Sequence, residues 1–156
     1  MTWLLFVLMT VVCWGLYGVS LHTGQLAMGD PLNGRYKAFL FVGLAYLVTA
    51  VIGSLIVLLI NGATWAFSTK GVLWSTFAGT VGALGALGVV LAFGAKGSPS
   101  VVMSIVFAGA PIVNAGVALL AHPPAGGWSA VRWPFVLGIV LAALGGFLVT
   151  LFRPES

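Results

Sequence analysis

Long apolar runs alternate with short polar breaks from one end of this chain to the other. The runs cover Trp3–Leu21, Tyr36–Ile60, Gly71–Phe93, Pro99–Ala121 and Trp133–Phe152. A helix that crosses a bilayer needs about 20 mostly apolar residues. Each run meets that length, and none holds an Asp, Glu, Lys or Arg near its middle. Lipid offers the backbone no hydrogen bonds, so each run must close its own as a helix. Strands of a membrane barrel alternate in polarity over about 10 residues, whereas these runs are apolar throughout. The pattern predicts an all-α membrane protein, a bundle of five transmembrane helices forming a single domain over residues 1–156. The first run has no preceding Lys or Arg and exceeds a signal-peptide core, so it reads as a retained helix.

The breaks carry turn chemistry. His22–Arg35 is the longest and contains Gly29, Asp30, Pro31, Asn33 and Gly34. Asn61–Lys70 is small and polar. Ala95–Ser98 predicts a tight hairpin, and Pro123, Pro124, Gly126 and Gly127 stop the fourth helix.

Composition narrows the function further. The chain is 61% hydrophobic and 5% charged, against about 25% charged for a soluble domain. Its net charge of +4 comes from six scattered cations, with no basic stripe for nucleic acid. The expected partner is the lipid bilayer. Five crossings place Lys70 and Arg132 on the N-terminal face and Arg35, Lys37, Lys96 and Arg153 on the other. The positive-inside rule then puts the N-terminus out and the C-terminus in, in a membrane such as the bacterial inner membrane. The bias is four cations against two, or against three with the terminal amine, which leaves insertion in both orientations open.

Catalysis has little to work with. The only acids are Asp30 and Glu155, and no nucleophile, base and acid share a span. His22 and His122 end helices on opposite faces, about 30 Å apart, too far to share a metal. No metal, cofactor or enzyme activity is expected. Cys13 is alone and reads as a small packing residue.

Chemistry inside the membrane falls to uncharged side chains. Ser100, Ser104, Phe107, Pro111 and Asn114 recur at steps of four and three, which puts them on one side of the fourth helix. Pro111 has no N–H to give the carbonyl of Phe107. Asn114 is the one amide deep in a span. This face is either a pathway lining or structural glue to a neighbouring helix. Thr10, Trp14 and Tyr17 share a side of the first helix by the same spacing, as an aromatic wall for a ligand or as core filling. Tyr46 and Thr49 echo it in the second helix. The expected substrate-binding set is Trp14, Tyr17, Ser104, Pro111 and Asn114, with Asn114 facing Trp14 and Tyr17 across a small cavity.

Small residues mark close helix contacts. In the third helix Ala78, Gly82 and Ala86 stand four apart. In the fifth, Gly138, Ala142, Gly145 and Gly146 form the expected self-association face of a homodimer.

The order of these features resembles one half of an EamA-type drug/metabolite transporter. The resemblance rests on Trp14-Gly15-Leu16-Tyr17-Gly18, on the connection Ala92-Phe93-Gly94-Ala95-Lys96-Gly97-Ser98-Pro99-Ser100 followed by Pro111, and on Gly138 and Gly145 seven apart. It covers nearly the whole chain and implies a half-size, five-helix member of that superfamily. Two places depart from it. Ala121-His122-Pro123-Pro124 stands where many members have a Gly-Glu pair. Cys13-Trp14-Gly15 stands where small multidrug resistance proteins hold a proton-coupling glutamate. The resemblance implies a transporter-like protein moving a small neutral or weakly polar metabolite, its site completed by a second copy or another partner. The alternative is a non-transporting structural or assembly subunit of a membrane complex.

Overall fold

The computed structural model describes residues 2–153. Five helices are long and apolar enough to cross a membrane, and no strand occurs among the described residues. We number them α1 (Thr2–Ala27), α2 (Gly34–Ile60), α3 (Thr69–Gly94), α4 (Pro99–Ala121) and α5 (Trp133–Leu151). At 1.5 Å per residue the shortest, with 19 residues, is about 28 Å long, close to the thickness of a hydrocarbon core.

Four of the five spans match the sequence expectation to within two residues at each end. The exception is the end of α1. Its helix continues through His22, Thr23, Gly24 and Gln25, a stretch that the sequence pattern assigns to the loop. Nothing in that stretch forbids a helix, and Thr23 bonds its hydroxyl back to the Val19 carbonyl at 2.9 Å. The helix stops only at Gly29, whose φ of +63° is open to glycine at no steric cost.

Asp30 then builds the turn into α2. Its Oδ1 accepts from the backbone N–H groups of Leu32 at 3.1 Å and Asn33 at 2.9 Å. Its Oδ2 takes the Lys37 ammonium at 2.7 Å. The Lys37 hydrogen bond first, and the Asn33 N–H next, hold the carboxyl down at about 2. Other helix starts follow local rules. Ser68 caps α3 through Gly71 N–H at 3.1 Å. Pro99 occupies the first turn of α4.

α2 is not a uniform α-helix. Leu47–Ile52 forms a π-helical segment at the middle of the span. The wider turn is rare and recurs at functional sites.

The structure divides into two compact units, one ending at Lys96 and the other beginning at Gly97. In the first unit the buried positions gather at one end. They are Gly18 and Leu21 of α1, Gly34 and Ala38 of α2, and Ala86, Val89, Val90 and Phe93 of α3. Val90 has no exposed surface at all. Gly34 makes this end possible: a Cβ there would meet the Gln25 carbonyl oxygen at 2.9 Å. The remaining lengths of the three helices expose their apolar side chains.

The second unit is the hairpin of α4 and α5. The two helices pack against each other, and Gly146 lies directly against the Ala108 methyl. Thr150 bonds its hydroxyl to the Gly146 carbonyl at 2.9 Å.

Candidate functional site

Where the packed end of the first unit stops, the three helices enclose a groove of about 610 Å³. That volume suits a small molecule. Trp14 of α1 forms one wall. Phe39, Tyr46 and Leu47 of α2 form another, and the π-helical segment continues it with Ala50 and Val51. The floor is the small-residue stretch Gly79, Gly82, Ala83 and Ala86 of α3. Trp14, Tyr46 and the Gly79–Ala86 stretch each lie near the middle of their helices. The groove therefore sits at mid-depth of the spans.

The role of α3's small residues differs from the sequence expectation. The spacing predicts that Gly82 lets another backbone approach closely, yet a Cβ there would meet nothing within 4 Å, and neither would one at Gly79. The missing side chains leave space rather than contact. Only Ala86, at the far end of the stripe, is buried.

Two predicted residues come together here. The rings of Trp14 and Tyr17 lie 5.6 Å apart at 47°, within the range of favourable aromatic pairs. Trp14 lines the groove, and Tyr17 stands one turn behind it. The Tyr17 hydroxyl is shut off from solvent and has no hydrogen-bond partner among the described residues, an arrangement that costs free energy. Tyr46, the weaker echo in α2, is a wall residue.

The other predicted set lies on α4, in the second unit. Ser104 does not offer its proton outward: its Oγ donates to the Ser100 carbonyl at 2.6 Å. Thr10, Thr49 and Thr80 do the same, each to the carbonyl four residues back. This is how a hydroxyl is satisfied inside an apolar helix. Pro111 sits within a continuous helix. Asn114 is exposed and makes no side-chain hydrogen bond among the described residues.

The small residues of α5 separate by direction. Gly138 and Gly145 have open space where a Cβ would stand, and Ala142 is exposed. Gly146 faces Ala108 of its own hairpin, so it is taken up by packing within the chain and leaves the expected dimer face to the other three.

Periodicity missed the groove's floor and the π-helical wall. The one available signal was the density of glycine in α3, whose meaning depends on what stands opposite. No family model, no curated protein and no solved structure matches the chain.

Proposed function

We propose that the protein is a membrane transporter subunit that passes a small neutral or weakly polar metabolite, working as an oligomer. The observation that supports this best is the groove at mid-depth, walled by Trp14 and Tyr46 and floored by open glycines. Transporter sites lie near the midplane beside irregular helix, and the π-helical segment of α2 supplies that irregularity. No charged side chain lines the groove, which favours an uncharged cargo. The EamA-like resemblance supports the same reading. Gly138, Ala142 and Gly145 are the proposed self-association face, and the Asn114 amide is a proposed polar contact for cargo or partner.

The test works with the cargo unidentified. Cells producing the wild type or Gly82→Leu are compared for the small molecules they accumulate and release. Leucine at position 82 fills the groove floor, where its Cβ touches no neighbour. The expected result is a species whose distribution changes with the wild type and not with the variant. Identical profiles from both, at equal membrane levels, would defeat the proposal. The second reading, a structural subunit, is favoured by the open glycine flank of α5. It requires that Gly138→Leu and Gly145→Leu abolish assembly while Gly82→Leu changes nothing.

A further inference from the structure

The second unit has a cavity of its own, at the end where α4 begins and α5 stops. It measures about 410 Å³, within the range that holds a small ligand. Ser100 of α4 lines it, together with Leu148 and Val149 of α5 and the two residues that follow that helix, Phe152 and Arg153. Two helices far apart in sequence thus bring a hydroxyl and a cation to one open space, with an apolar wall beside them.

The polar groups here are accessible and uncommitted. Ser100 and Arg153 are both exposed. Among the described residues the salt bridge joins Lys37 to Asp30, and Arg153 has no carboxylate partner. The Ser100 carbonyl is already taken by the Ser104 hydroxyl at 2.6 Å. The Ser100 hydroxyl lies 3.3 Å from that of Ser98. Each hydroxyl brings one proton, and a bond between the two uses only one of them. One O–H is therefore left to donate, beside the planar fork of guanidinium donors. The negative pole at the end of α5 accounts for a cation near it. It does not account for a hydroxyl of a second helix on the same cavity.

A guanidinium stays charged and cannot accept a hydrogen bond, so the group it takes is an anion with acceptor oxygens. Leu148, Val149 and Phe152 supply the rest of the lining, so the same ligand carries hydrocarbon next to its anion. The cavity lies at the ends of two membrane-length helices, the depth at which basic pockets meet lipid headgroups. We propose that Arg153 and Ser100 hold the oxyanion of an anionic lipid headgroup, with the start of its chain along Leu148, Val149 and Phe152. The site is separate from the groove of the first unit and does not rest on transport.

The test follows thermal unfolding of the purified full chain in mild detergent, each variant against its own lipid-free midpoint. Phosphatidylglycerol, phosphatidylcholine and glycerol 3-phosphate are titrated separately. Phosphatidylglycerol, with a net negative head, should raise the midpoint saturably. Phosphatidylcholine, whose head has no net charge, and glycerol 3-phosphate, an anion without a chain, should not. Arg153→Gln should raise the half-saturating lipid concentration about tenfold or more, as expected for loss of a hydrogen bond to a charged group. Ser100→Ala keeps the charge and should raise it severalfold; it decides the matter should Arg153→Gln fail to fold. Arg132→Gln removes the same charge from the other end of α5 and should leave the response unchanged. An equal loss in Arg132→Gln would reduce the effect to bulk charge and overturn the proposal. So would equal protection by phosphatidylcholine or glycerol 3-phosphate, an undiminished response in Arg153→Gln or Ser100→Ala, or no response in the wild type.

Discussion

Gly146→Ala is the sharpest test of how α4 and α5 meet. The new methyl would stand against the Ala108 methyl, with the Ser104 carbonyl oxygen 3.4 Å away. Neither neighbour is the far end of a flexible side chain, so the helices themselves must part. Overpacking of this kind costs about 1–3 kcal/mol. Alanine's better helix propensity returns about 0.5–1 kcal/mol. The net expectation is a loss of about 1 kcal/mol. Gly138→Ala and Gly145→Ala carry the same propensity gain with open space around the methyl. They should be neutral or slightly stabilising. Unfolding of each variant in detergent, followed by helical circular dichroism, gives the comparison. Ala108→Gly in the Gly146→Ala background should restore the contact, with a coupling of about 1–3 kcal/mol. The reasoning fails if Gly146→Ala is as benign as Gly138→Ala, or if the two positions do not couple.

Gly34→Ala should destabilise the first unit by about 1–3 kcal/mol, because its methyl meets a backbone oxygen of Gln25; an unchanged melting curve would contradict that contact. Gly94→Ala should cost less, since the atoms it meets belong to the flexible end of Arg35. The Asp30 carboxyl is held at about 2 by Lys37 and the turn N–H groups, below its unfolded value of about 3.9. Its contribution to stability is therefore complete above about pH 4 and is lost as the pH falls through about 2; carboxyl NMR should show that titration, and Lys37→Met should move it up. Tyr17→Phe removes a buried hydroxyl that has no hydrogen-bond partner among the described residues, so stability should hold or rise. A clear loss of stability would refute its isolation. Lys96, at φ +69°, should accept glycine with a gain of up to about 1 kcal/mol, read as a higher unfolding midpoint.

Much of this protein is legible in its sequence because a long, uninterrupted apolar run obeys a one-body rule. Each long apolar run must be a helix, Pro99 opens one from its first turn, and Pro123 and Gly29 stop others by local sterics alone. The five spans and most of their ends follow from that. The end of α1 does not, because His22–Gln25 are compatible with both loop and helix. The choice is settled by Gly34 packing on Gln25 and by His22 meeting Phe93.

The arrangement of faces is what only the tertiary structure decided. In a soluble helix the apolar stripe announces the buried side. Here apolar residues run round most of every helix, so periodicity does not separate the face packed within the chain from the face left outside. Gly82 and Gly146 look alike in sequence. One opens a groove, and the other closes on Ala108. Spacing puts Ser104 on one side of α4, but only the structure shows its hydroxyl donating to the Ser100 carbonyl at 2.6 Å. The sequence determined five membrane-length helices through the free energy of taking backbone and side chains out of water. Which small residues make contacts and which make space was decided by the neighbours that folding placed opposite them.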